Sequence, residues 1–406
     1  MKVILTAIGT PGDVFPLLGL GIELKARQHD VVLITHGHFE SHALRAGLKF
    51  VAVGTEEEYL GCLAGNTRIW DPRDGYSEVV KCATALIPAM YEAIQSNIDP
   101  GRTVIAAHYL DFASRLAQET EGVPVATIVV PPLGFGFAEK YLSESALAPP
   151  LDFLLGALGP GWNFSPVLTI GLFPAWFARP EPNWPANVRL TGFPLFDFAE
   201  AVPPDVDEFL DGGPPPVVFT AGPRVELSSN GQSETFLKMV VEACHRIGRR
   251  GLVLAGFREG RPELPANIHI AKFAPLTRIL PRCGAIVHHA GIGTTAAAML
   301  CGIPQFATPL CHDQVDNAQR MKQLGVGDWL SPNQIDGPVL ATKLSYLFSS
   351  LQIARRCKEM SGRCIRENGI AAACDLIEAV RQSPTGKGVA AAGAMAIAGM
   401  AARDCT

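Results

Sequence analysis

The sequence predicts an α/β protein of two doubly wound domains with a cleft between them. Three observations carry this. Short β-branched runs alternate with helical stripes, the pattern of parallel sheets covered on both faces. The rhythm stops at a proline cluster near mid-chain and then restarts. The 406 residues are too many for one ordinary domain and suit two.

In the first half, Val3–Ile8 reads as a buried strand and Phe15–Gln28 as a helix. Asp30–Thr35, Phe50–Val53, Thr103–Ala107 and Val125–Val130 are further strands, with a helix over Arg115–Glu121 closed by Gly122 and Pro124. The alternation fades between Pro131 and Gly171, where Gly, Pro and aromatic residues dominate, and such long irregular stretches are often functional. Prolines cluster at Pro203-Pro204 and Pro214-Pro215-Pro216, which places a linker over 201–216. The rhythm then resumes, with strands Val217–Thr220, Gly251–Ala255, Ala285–His288 and Gln305–Thr308. Helices are expected over Glu234–Ile247, Thr294–Leu300 and most of Leu340–Arg381. The two domains are therefore expected over 1–200 and 217–360, with an Ala/Gly-rich tail at 383–406.

Composition narrows the function. With 48% hydrophobic and 18% charged residues the chain is not globally disordered. A net charge of −5 gives no electrostatic footprint for nucleic acid. None of the ten cysteines forms a C-x-x-C pair, which argues against zinc ribbons and thioredoxin-like chemistry and fits a reducing compartment. The first apolar run is too short for a signal peptide, and the apolar part of the tail, Val389–Ala402, falls short of the ~20 residues that span a bilayer. The expectation is a cytoplasmic protein without stable membrane insertion, with a peripheral membrane location as the alternative.

Two turns concentrate chemistry. Gly9-Thr10-Pro11-Gly12-Asp13 follows the first strand and opens a helix, and ligands in open α/β sheets bind outside such carboxyl ends. It lacks the G-x-G-x-x-G dinucleotide fingerprint. Asp13 is either a helix cap or a cleft-facing general base. In the second half, His288-His289-Ala290-Gly291-Ile292-Gly293-Thr294 runs from a strand into an Ala-rich helix. Its exposed amides and the helix N-terminus suit a diphosphate, and a histidine beside them can donate to the same oxygens. Adjacent histidines point to opposite faces, so at most one faces a ligand directly. The next strand ends in Pro309-Leu310-Cys311-His312-Asp313-Gln314, with Asn317 just beyond. Several donors and acceptors in one turn suit sugar hydroxyls, or else cap the next helix.

Together with Phe273-Ala274-Pro275-Leu276, Gly302-Ile303-Pro304 and Pro309, these stretches resemble the nucleotide-sugar signature of the family 1 (UDP-glycosyltransferase-like) glycosyltransferases. Trp70-Asp71-Pro72, Leu172-Phe173-Pro174-Ala175-Trp176-Phe177 and Leu190-Thr191-Gly192-Phe193-Pro194 resemble more narrowly the rhamnosyltransferase B subunit of rhamnolipid synthesis. The resemblance covers most of 1–380. It implies the GT-B architecture of two Rossmann-like domains, acceptor on the first and donor on the second, with a last helix within about 360–382 crossing back to the first. It also implies Asp13 as catalytic base, and a donor site of Gly12, Gly222, Arg224, Phe273, Pro275, His288, His289, Gly291, Gly293, Thr294, Asp313, Gln314 and Asn317. Phe15, Trp70, Phe135 and Phe137 are the candidate acceptor contacts. Two positions depart from relatives: Ala297 stands where the plant branch has a ribose-binding Glu, and Ala221-Gly222-Pro223-Arg224 replaces the usual Gly-Ser or Gly-Thr.

The activity so implied is inverting, metal-independent and rhamnosyltransferase-like: a UDP- or dTDP-sugar gives its sugar to a hydroxyl of an apolar small-molecule or lipid acceptor, with the nucleotide sugar as co-substrate and no cofactor. A partner subunit or homodimer stays open. The rival readings are a non-catalytic partner of the same fold that activates another enzyme, and a nucleotide-sugar epimerase.

Overall fold

The structure is a computed structural model that describes residues 1–73, 75–136, 161–196, 201–220, 232–256 and 264–380. The described residues form two compact units, one within Met1–Pro194 and Asn368–Val380, the other within Leu195–Glu367.

The first unit is built on a seven-stranded parallel sheet of order β3-β2-β1-β4-β5-β6-β7. Its strands are β1 (Lys2–Thr6), β2 (Asp30–Thr35), β3 (Lys49–Ala52), β4 (Thr103–His108), β5 (Val125–Val129), β6 (Leu168–Gly171) and β7 (Val188–Leu190). β1, β4 and β5 are buried almost throughout, as expected of parallel strands covered by helices on both faces. The second unit repeats the plan with six strands, ordered β10-β9-β8-β11-β12-β13. These are β8 (Val217–Thr220), β9 (Gly251–Leu254), β10 (Ile268–Ala271), β11 (Ala285–His288), β12 (Gln305–Ala307) and β13 (Gly327–Trp329). Both sheets have the doubly wound order in which the chain reverses direction beside the first strand of the unit. The reversal falls between β1 and β4 in one sheet and between β8 and β11 in the other. The fold class predicted from sequence is thus the one observed within each unit.

Three short edge strands, β7, β10 and β13, and also β6, escape the sequence reading, because runs of three or four residues carry little periodic signal. The proline cluster also behaves otherwise than a bare linker. Pro204–Asp211 is a helix, with Pro204 in its first turn, where a missing N–H costs nothing. Its Val206 and Leu210 are buried in the core of the second unit with Leu252 and Ile279.

At the far end, the helix Leu351–Arg366 stays with the second unit, where Arg356 donates to the Leu324 carbonyl and Ser361 to that of Leu300. The helix Gly369–Val380 belongs to the first unit and packs on the helix Pro11–Ala26. Arg27 holds it through Asp375 at 2.6 Å and Glu378 at 3.2 Å. Gly369 is required at its start, since a Cβ there would lie 2.5 Å from the carbonyl oxygens of Gly192 and Phe193. The tail 383–406 lies outside the described residues.

Candidate active site

Asp13 is placed by the end of β1 and the helix after it. Thr10 is the N-cap and Asp13 the third helical residue, so the two form a capping box. Asp13 Oδ2 accepts from the Thr10 amide at 2.8 Å and from the Thr10 hydroxyl at 3.0 Å. Gly9 stands at φ +128°, and a Cβ on it would overlap the Asp13 carboxylate. The carboxylate is therefore fixed by one oxygen, leaving Oδ1 for other work. Of the two readings the sequence leaves open, helix cap and cleft-facing base, the geometry shows the cap directly.

Oδ1 lies 3.5 Å from Nε2 of His108, the last residue of β4. Register explains the meeting. Thr6 pairs with Ala107 across β1 and β4, so His108 projects one residue further, beside the Gly9–Asp13 turn. The His108 ring is fully buried, and neither nitrogen has a hydrogen-bond partner among the described residues. The Asp13 side chain stays 24% exposed. Burial pushes the Asp13 carboxyl up, but the His108 ring and the two Thr10 bonds outweigh it and hold the group below its ordinary value. Sequence reading missed His108, because a lone histidine ending a strand looks like core; the one available signal was its place at the carboxyl end of a buried strand.

The four expected acceptor contacts fare differently. Phe15 packs against Phe39 and His42, with centroids 6.3 and 5.3 Å away. Trp70 is 8% exposed, and its indole donates to the Leu63 carbonyl at 3.0 Å. Phe135 is a correction: it is 2% exposed, stacked on Trp184 at 4.1 Å and packed against Phe164 and Phe173. Its ring completes an aromatic core and offers a ligand no face. Phe137 lies outside the described residues.

In the second unit most of the expected donor residues follow the carboxyl ends of β11 and β12, whereas Phe273 and Pro275 follow β10. His288 is 1% exposed and ends β11; the partly buried His289 ring lies against Gly291, where a Cβ would come 2.7 Å from its Nε2. His289 Nδ1 is buried without a hydrogen-bond partner among the described residues. Burial pushes the His289 pKa down to about 4 and, with His289 beside it, that of His288 to about 3, so both rings are neutral at pH 7. Gly291 caps the helix Ile292–Cys301, with Gly293 exposed and Thr294 partly buried in its first turn. Asp313 accepts from Asn317 Nδ2 at 2.7 Å. Gln314 uses its side-chain oxygen to hold its own turn, accepting from the Leu310 and Cys311 amides at 2.8 and 3.3 Å. Pro275 is buried and Phe273 is 48% exposed. Gly12 is exposed and lies in the first unit; Gly222 and Arg224 lie outside the described residues. Among the described residues no group of three or more His, Cys, Asp or Glu side chains is placed to hold a metal ion, and no helix is long and apolar enough to cross a membrane.

The glycosyltransferase family 28 N-terminal domain matches residues 3–130, and the erythromycin biosynthesis protein CIII-like C-terminal domain matches 252–367. The O-mycaminosyltylonolide 6-deoxyallosyltransferase of Streptomyces fradiae is 26% identical over 93% of this chain and 97% of its own. The chain is a GT-B-fold glycosyltransferase. Solved structures agree on the fold. The calicheamicin glycosyltransferase CalG4 superposes with a TM-score of 0.73 at 20% identity, covering 94% of this chain and 98% of that one. The spinosyn rhamnosyltransferase SpnG, complexed with thymidine diphosphate, gives 0.70 at 18% identity, covering 93% and 100%. None of these relatives is the rhamnolipid enzyme, so the narrower likeness drawn from sequence gives way to a broader group, the sugar transferases of secondary metabolism.

Proposed function

We propose that this glycosyltransferase moves a sugar, with inversion, from a UDP- or dTDP-sugar to a hydroxyl of an apolar small molecule, without a metal ion. The observation that carries the reading is the Asp13–His108 pair at the switch point of the first sheet, a carboxylate fixed by one oxygen with the other beside a buried imidazole. Asp13 takes the proton of the acceptor hydroxyl as that oxygen attacks the anomeric carbon, and the bond to the diphosphate breaks on the opposite face. His108 steadies the carboxylate; general-base help of this kind is typically worth about 10²–10⁴-fold.

The leaving diphosphate is received by the amides of Gly291–Thr294 at the helix N-terminus and by His289, whose buried Nδ1 lacks a partner among the described residues. Asp313 takes sugar hydroxyls and Phe273 stacks on the nucleobase. Two of the matched relatives favour dTDP-bound 6-deoxysugars, one being named a 6-deoxyallosyltransferase and another a rhamnosyltransferase held with thymidine diphosphate, while others, named sterol 3-beta-glucosyltransferases, keep glucose in the screen. A thermal-shift screen with UDP and dTDP sugars tests the donor, because a bound ligand stabilises the folded chain by mass action. The winning donor is then incubated with hydroxylated aromatic, polyketide and lipid acceptors, with and without EDTA. Inverted glycoside formed equally in both is expected; absence of any shift with every nucleotide sugar defeats the donor assignment.

A further inference from the structure

His288 and His108 hold the same place in the two sheets, each ending the strand beside the switch point, yet their surroundings differ. His108 has no hydrogen-bond partner among the described residues, whereas His288 has two. Its Nδ1 accepts the Ala290 amide at 3.1 Å, and its Nε2 lies 3.1 Å from Gln305 Oε1. Gln305 is oriented by its own amide group, which donates to the Thr295 carbonyl at 3.3 Å, so its oxygen is the atom turned to His288. Both bonds demand one tautomer, neutral with the proton on Nε2.

The residue held this way is unusual. Ala290 has φ +66°, a left-handed conformation disfavoured about 5- to 30-fold for a residue with a Cβ. Its amide is bound by His288 and its carbonyl by Asn317 Nδ2 at 3.0 Å, the same amide group that reaches Asp313. Left-handed geometry at 290 is what turns the chain from β11 to the helix cap at Gly291 and lays His289 over it.

We propose that His288 is a positioning residue that clamps Ala290 left-handed, and so sets His289 and the Gly291–Thr294 amides for the donor diphosphate without touching it. Asn317 closes the clamp from the other side and ties it to the sugar-binding Asp313. The inference rests on the donor reading above and deepens it.

The test uses the full chain, with UDP and dTDP as probes in calorimetry. His288→Leu removes the acceptor of the Ala290 amide and is expected to weaken nucleotide binding about 5- to 30-fold. Ala290→Gly in that background is expected to restore binding to within about threefold of the parent, because glycine adopts φ +66° without a clamp. A double variant as weak as His288→Leu overturns the proposal, since a lost direct contact is not repaired at 290. His288→Asn, whose Oδ1 takes the Ala290 amide, is expected to stay within about threefold; a loss equal to that of His289→Asn overturns it even where the Leu variant does not fold. Hydrogen exchange reads the clamp without nucleotide. The Ala290 amide is expected to be protected in the parent and in His288→Asn, and fast exchange there sinks the clamp whichever nucleotide binds, whereas a protected amide with no binding indicts only the donor reading.

Discussion

Asp13→Asn tests the proposed base. The substitution preserves size and leaves an oxygen to accept from Thr10, while removing the charge that Oδ1 presents next to His108. A general base is worth about 10²–10⁴-fold, which at about 1.36 kcal/mol per decade is about 3–5 kcal/mol of transition-state stabilisation. Turnover is expected to fall by that factor. Affinity for UDP and dTDP is expected to change by less than about twofold, since His289 and Asp313 belong to the other unit. The pH profile adds a second reading. The partners of Asp13 hold its carboxyl below the ordinary value, so the base is ionised above that lowered pKa and is lost only as pH falls through it. In the parent, kcat/KM is therefore expected to keep its acid limb below the ordinary aspartate range. Release of nucleoside diphosphate and formation of glycoside are followed together, with an acceptor found in the screen. Turnover within about threefold of the parent, with donor binding intact, refutes the base assignment.

Other outcomes follow from the same geometry. His108→Phe keeps the ring's bulk but removes what holds the Asp13 carboxyl down, so the acid limb of kcat/KM is expected to move to higher pH and turnover to drop at least about tenfold; an unmoved limb means the two side chains do not communicate. Gly9→Ala combines a strained φ of +128° with overlap on the carboxylate, and is expected to cost about 1–3 kcal/mol in chemical denaturation together with most of the turnover. Normal turnover in that variant shows that the capping box does not fix the base. Phe135→Ala is expected to cost about 3–5 kcal/mol of stability by leaving a hole beside Trp184 and Phe173, and a loss under about 1 kcal/mol in urea melts contradicts its core placement.

The turn at Gly291–Thr294 was legible in the sequence because its requirements are local. Glycines at 291 and 293 after an apolar strand already describe exposed amides at a helix start. Asp13 was legible for the same reason, although not the division of its two oxygens between Thr10 and His108. The histidine pair was not: which of two neighbours is a strut depends on Gln305 and Thr295, which reach His288 from the next strand and helix. Phe135 misled because an aromatic residue in an irregular stretch has the same composition whether it lines a site or fills a core, and only the rings of Trp184 and Phe164 separate the two.

By itself the sequence determined two doubly wound units and the turns that carry chemistry, since β-branched runs, helix stripes and glycine turns act over a few residues of chain. The tertiary structure alone decided that His108 meets Asp13, that His288 is spent on holding Ala290, and that the chain rejoins the first unit at Asn368. Those facts depend on strand order and register, which join residues 95 apart in the case of Asp13 and His108 (108 less 13), a distance over which no local pattern carries information.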